Sequence, residues 1–152
     1  MAVIARNVAA VCCGLALAAA HARADQAADV RSAIELIATA LSSGNPAQAM
    51  SAFDKSYANY QKLSDDFEGL TNAFRIVNEV DVVDEDDAPA ETKITVHWII
   101  TLSDLALNYT ERREGDINAR LVLKGRKWKL VEFSPLDVFD PQQKPPTKAP
   151  SK

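Results

Sequence analysis

The sequence predicts an α+β domain in which three N-terminal helices lead into a mostly antiparallel sheet of four or more strands. Three observations carry that expectation. Apolar residues recur at helical spacing from Val30 to Leu41 and again from Tyr60 to Leu70. After Thr71 the period changes to two and holds as far as Ser134. Short turn signals divide this second region into consecutive strands, which is the order of an α+β chain rather than of an alternating α/β one.

The first 24 residues read as an export signal. Arg6 supplies the positive start, Val8 to Ala20 form an apolar core too short to span a bilayer, and Ala22-x-Ala24 offers a cleavage site. The expected mature chain begins at Asp25 and is periplasmic or secreted, with no membrane span. Cys12 and Cys13 both lie inside the signal, without the leucine and small residues of a lipoprotein box before them. The mature chain is therefore expected to have no thiol, no disulfide and no cysteine-ligated metal, and to hold together by packing alone. Loss of Arg6 and Arg23 leaves 15 basic residues against 21 acidic ones and moves the net charge from −4 to −6. Such a balance argues against nucleic acid as a partner. Residues 25–140 suffice for one domain with a single core, and residues 141–152, with four prolines, three lysines and no large apolar side chain, read as a disordered tail.

The first helix is expected over residues 25–43, with Val30, Ile34, Ile37 and Leu41 on its buried stripe and Gly44 as its stop. Asn45 can cap a short second helix that carries Pro46 at its first position and buries Ala47, Met50 and Phe53. Tyr60, Leu63, Phe67 and Leu70 mark the third. The first strand alternates Phe74, Ile76, Asn78, Val80 and Val82 against Arg75, Val77, Glu79, Asp81 and Val83. The acidic stretch Asp84 to Glu91 is read as a solvated hairpin tip, since it lacks the glycine turn and bidentate glutamate of a calcium loop. In the second strand Ile94, Val96, Trp98, Ile100 and Leu102 share one face, while Lys93, Thr95, His97, Ile99 and Thr101 share the other. A third strand over residues 109–124 places Ala119, Leu121 and Leu123 on the core side and Asp116, Asn118 and Arg120 opposite, with a bulge expected at Gly115 and the charges of Thr110 to Asp116 solvated or interfacial. The fourth, residues 127–134, sets Trp128 and Leu130 on one face and Val131 and Phe133 on the other.

The stretch "AMSAFDKSY" (Ala49–Tyr57) after a short second helix, and the closing "ARLVLKGRKWKLVEFSPLDVFDP" (Ala119–Pro141) with its Gly-x-x-Trp-x-Leu strand, resemble the nuclear transport factor two-like (SnoaL-like) superfamily, in particular exported bacterial members. The resemblance covers residues 29–140 and implies a cone, with a curved sheet around the first helix and a pocket at its open end. Some relatives use that pocket catalytically, as ketosteroid isomerases, scytalone dehydratase and limonene epoxide hydrolase do; others bind or assemble. None of those catalytic sets maps residue by residue onto this chain, and the first helix presents no inward tyrosine.

Asn78 and Glu132 fall in phase with apolar residues and are read as pointing inward, and with Trp98 and Tyr57 they form the wall of a possible ligand pocket. A glutamate walled by apolar groups could serve as a general acid or base, though a single bulge in the last strand would turn Glu132 to solvent. Asp54, beside Tyr57 after the second helix, is the other candidate carboxylate; it could equally cap the next helix. His97, the sole histidine once His21 is removed, lies on the outer face and cannot by itself anchor an ordinary zinc site, so no metal and no cofactor are expected. Val77, Ile99, Val122, Val131 and Phe133 are expected to make the outer face a homodimer surface. The function expected is an exported domain that binds a small apolar or amphipathic molecule or serves in assembly. The alternative is a cofactor-independent isomerase or lyase using Glu132 or Asp54. A catalytic cone needs two inward polar groups within reach of one point, whereas a binding or assembly domain does not.

Overall fold

The computed structural model describes residues 11–143, with side chains from residue 22 onward. Three helices, α1 (Val11–Ser42), α2 (Pro46–Met50) and α3 (Tyr60–Ala73), precede four strands, β1 (Arg75–Ala88), β2 (Glu91–Asp104), β3 (Tyr109–Lys124) and β4 (Lys127–Ser134), and a closing 3-10 turn (Asp137–Phe139). The strands pair antiparallel in the order β1-β2-β3-β4. Helix α1 begins well before the expected residue 25, because the alanine-rich stretch ahead of Asp25 has high helix propensity and contains no proline. Residues 1–10 of the expected signal, and 144–152 of the expected tail, lie outside the described residues.

The helix boundaries follow local chemistry. Gly44 takes a φ of 70° just past α1, a left-handed turn that a side chain would disfavour. Asn45 accepts a hydrogen bond from the Gln48 amide at 3.0 Å and so satisfies one free N–H of α2. In α3, Leu63, Phe67 and Leu70 are fully buried, as their spacing requires. Gly69 lies on a different line of the same helix. A Cβ there would stand 3.1 Å from the Pro141 ring, so the glycine makes room for the chain beyond the 3-10 turn.

Strand β2 matches its sequence pattern: Ile94, Val96, Trp98, Ile100 and Leu102 are all buried. Elsewhere pairing changes the reading. The acidic segment from Asp84 to Ala88 is not a hairpin tip but the end of β1, paired with Thr95 to Glu91, and the turn itself is only Pro89 and Ala90. Asp86 stands opposite Lys93, the kind of cross-strand pair that lets an acidic run join a sheet. Gly115 sits in unbroken register opposite Trp98 rather than in a bulge. A Cβ at Gly115 would approach Val138 to 3.3 Å, so its bareness admits the C-terminal turn. The register shifts fall instead at Val83 in β1 and at Val131 in β4. Leu123, in phase with the core, is 39% exposed because it lies at the end of β3 beside the Lys124–Lys127 turn, past the packed interior.

The β4 bulge has the largest consequence. Leu121 pairs with Leu130, but Arg120 pairs with Glu132, so Val131 is the extra residue. The parity of the strand reverses across it. Leu130 and Phe133 are therefore both buried, and Glu132 faces solvent. Residues Ala52 to Asp54 add a short parallel edge beside β4, with the Leu130 amide donating to the Ala52 carbonyl at 3.0 Å and the Asp54 amide to the Leu130 carbonyl at 2.8 Å.

Candidate functional site

The inner face of the sheet, α1 and α3 enclose the space where a cone-shaped pocket would lie. Trp98 is at its centre and has no exposed surface. Its indole N–H donates to the Asn78 Oδ1 at 2.9 Å, and the Asn78 amide nitrogen donates to the Ala38 carbonyl at 3.0 Å and the Ser42 hydroxyl at 3.1 Å. Asn78 thus does point inward. Its polar atoms are spent in tying α1 to β1 and β2, leaving little to offer a ligand. Tyr57 is buried against Phe53 and donates its hydroxyl to the Phe133 carbonyl at 2.6 Å. Burial, the dominant influence, raises the Tyr57 pKa, so its phenol stays neutral and acts as a structural donor.

The remaining space is filled by rings. Phe139, from the 3-10 turn, is fully buried and meets Trp98 and Phe67 edge-on at centroid distances of 5.2 and 5.3 Å, and stacks on Phe133 at 5.8 Å. Phe53 packs edge-on against Phe133 at 5.3 Å. Such offset and T-shaped pairs are the favoured aromatic arrangements. The chain beyond β4 therefore acts as a plug in the mouth of the cone.

Arg113 holds that plug in place. Its guanidinium donates to both carboxylate oxygens of Glu111, at 2.7 and 3.2 Å, and to the Asp140 carbonyl at 2.6 Å. Both side chains of the pair are buried, Arg113 at 6% exposure and Glu111 at 9%. The charge run of β3 is thus not uniformly solvated, and its alternation explains why. Arg113 shares the parity of Gly115, Ile117, Ala119 and Leu121, so it faces inward where the cone ends and the C-terminal carbonyls need donors. That parity was the signal available in the sequence for Arg113; Phe139, beyond the last strand, carries no periodic signal at all.

The candidate catalytic residues lie elsewhere. Glu132 is on the outer face with its side chain 63% exposed and accepts from Arg120 at 3.0 Å. That hydrogen bond, foremost, lowers its pKa below the ordinary glutamate value, the opposite of what an acid–base role in a dry pocket requires. Asp54 accepts from the Ser56 amide at 2.9 Å within its own turn, and the Ser56 bonds hold its pKa down. Helix α3 has Asn59 at its cap position, so Asp54 caps no helix. His97 is outward, as alternation requires, with Nδ1 2.7 Å from the Asp116 carboxylate. Among the described residues no cluster of three or more His, Cys, Asp or Glu side chains is placed to hold a metal, and no helix is long and apolar enough to cross a membrane.

The open concavities are on the surface. One, of about 360 Å³, lies between α1 and the β3–β4 hairpin; another, of about 430 Å³, lies along β3 beside the plug.

The architecture described here is the nuclear transport factor two-like, cystatin-like fold: three helices on an open four-stranded antiparallel sheet. No protein-family model matches the sequence, and no curated protein matches it either. Solved structures do. The chain is similar to a nuclear transport factor two-like protein with a cystatin-like fold from Novosphingobium aromaticivorans, at 11% identity and a TM-score of 0.63 over 77% of this chain and 84% of that one. It is similar to a candidate scytalone dehydratase from the same organism, at 11% identity and a TM-score of 0.67 over 75% and 85% of the two chains. A ketosteroid isomerase-like protein from Erwinia carotovora atroseptica aligns at 8% identity with a TM-score of 0.59, over 70% of this chain and 91% of its own. At these identities the likeness is one of fold.

Proposed function

We propose that this protein is an exported assembly domain, periplasmic or secreted, that acts through its sheet surface as a homodimer and not through chemistry in the cone. The observation that carries this reading is the filled interior. Phe139, Trp98, Phe133 and Phe67 occupy the space a substrate would need, and the inward polar groups Asn78 and Tyr57 are engaged with the protein's own backbone and side chains. No two of them converge on a free point, which is the arrangement acid–base turnover requires.

The outer sheet face supports the second half of the proposal. Val77 is 55% exposed, and Ile99, Val122 and Val131 lie half-buried on the same side; Phe133, which the bulge turns inward, does not contribute. Around them the face carries charges of both signs at either end: Glu79, Asp81, Glu114 and Asp116 with Arg112 and His97 toward one, and Asp84, Asp86 and Glu132 with Lys93 and Arg120 toward the other. A two-fold axis through such a face sets the apolar centre of one copy against that of the other, with the charges at the rim. Light scattering is expected to give twice the chain mass. Ile99→Lys, which puts a hydrated ammonium in place of an apolar side chain at the centre of that face, should yield monomers that still melt cooperatively; a monomeric wild type at high concentration overturns the reading.

Export has a separate check. Residues 22–25 are exposed and burial begins with Gln26, whose side chain donates to the Ala88 carbonyl at 2.9 Å and to the Thr92 hydroxyl at 2.8 Å. Cleavage after Ala24 would therefore cost the core nothing. Intact-mass measurement of the exported protein is expected to show a chain starting at Asp25 with no thiol; a retained Cys12 or an added lipid mass would refute it.

A further inference from the structure

The second surface of interest is the hairpin joining β3 to β4. Its sequence, Lys124-Gly-Arg-Lys-Trp-Lys129, concentrates four cations in six residues of a chain whose net charge is −4. None of the four takes part in an ion pair among the described residues; Lys129 donates to the Ser51 carbonyl instead. Arg126 and Lys127 are exposed, and Trp128 is half-buried between them and the body of the protein.

Arg126, Lys127, Trp128 and Lys129 border the groove of about 360 Å³ against α1. One wall is apolar, formed by Ala33 and Leu36 of α1, Ala52 and the Trp128 indole. The rim toward solvent carries Arg126, Lys127 and Lys129, with Asp29 as the single carboxylate in the groove. Asp54 is the other acid under the influence of this cluster, its pKa lowered in part by Lys124 and Lys129. The cations outnumber the acids, and a groove apolar along its length and cationic at one edge matches a molecule of the same polarity.

We infer that this groove binds an anionic amphiphile, a free molecule with a phosphate or carboxylate head and an apolar body. The head lies against Arg126 and Lys127, and the body lies along Leu36 and Trp128. The site is distinct from the cone and from the outer sheet face, so it stands whether or not the protein dimerises. Arginine and lysine here are well suited to a headgroup: the guanidinium can bridge two oxygens, and the ammonium adds a mobile point charge. The indole supplies rigid apolar area beside them.

Calorimetric titration of the purified protein with dodecyl phosphate, kept below its micelle concentration, tests this. Saturable one-to-one binding is expected, weakened by salt. Arg126→Glu and Lys127→Glu, both at exposed positions, should each weaken it by about tenfold or more, with the melting profile unchanged. Asp29→Asn should tighten it, since the substitution removes the carboxylate that opposes the head; weaker binding of dodecyl phosphate by this variant would mean that the head does not lie in this groove and would overturn the inference. Inorganic phosphate binding as tightly as dodecyl phosphate would also overturn it, for then the apolar wall plays no part. Phosphatidylglycerol vesicles separate the two sources of such a head. Binding to vesicles without binding to the monomeric amphiphile would make this a membrane-surface patch and reject a groove site, whereas monomer binding without vesicle binding supports a free ligand.

Discussion

Phe139→Ala is expected to destabilise the protein by about 3–5 kcal/mol, the range for deleting a fully buried ring. Phe139 has no exposed surface and touches three other aromatic rings, Phe67, Trp98 and Phe133, each contributed by a different element. Its removal leaves a void that those rings cannot close, because each is fixed by its own strand or helix. Urea unfolding should therefore show a lower midpoint with little change in slope. The void would be apolar and dry, so benzene should restore part of the loss by occupying it. A variant as stable as the parent would mean that residues 137–139 do not plug the cone in solution, and the case against a substrate in the cone would fall with it.

Arg113→Ala is the second large effect, expected at about 3–5 kcal/mol because it leaves a buried carboxylate unpaired. Glu111, 9% exposed, would lose both of its hydrogen bonds from Arg113, and the Asp140 carbonyl would lose its close donor. The double variant Arg113→Met with Glu111→Leu removes both charges and keeps apolar volume, and it should recover most of the loss. A double-mutant cycle measured by urea unfolding isolates the pair. Additive single effects would mean that the two side chains do not interact in the folded protein, contrary to the 2.7 Å contact.

These two positions also mark where sequence reasoning stops. What the sequence by itself determined was whatever depends on neighbours in the chain. The period-two alternation of β2 is enough to turn Trp98 inward and His97 outward, because successive side chains of a strand must point to opposite faces. The Asn45 cap and the Gly44 turn follow in the same way from orphan amides and backbone freedom at a helix end. The general order, three helices and then four antiparallel strands, is likewise legible from period and punctuation. Only the tertiary structure decided the outcomes that rest on distant partners. Alternation extrapolated through β4 puts Glu132 inside; the bulge at Val131 reverses it, and that bulge exists because it lets both Leu130 and Phe133 pack on the interior while Glu132 meets Arg120 outside. The acidic end of β1 is a strand because β2 lies alongside to pair with it, not because aspartates favour strands. Phe139 closes the cone because Gly115 and Gly69 leave room for the segment around it and Arg113 supplies donors for its carbonyls. No local signal encodes a contact between residue 113 and residue 140, since chain proximity there is created by the fold itself.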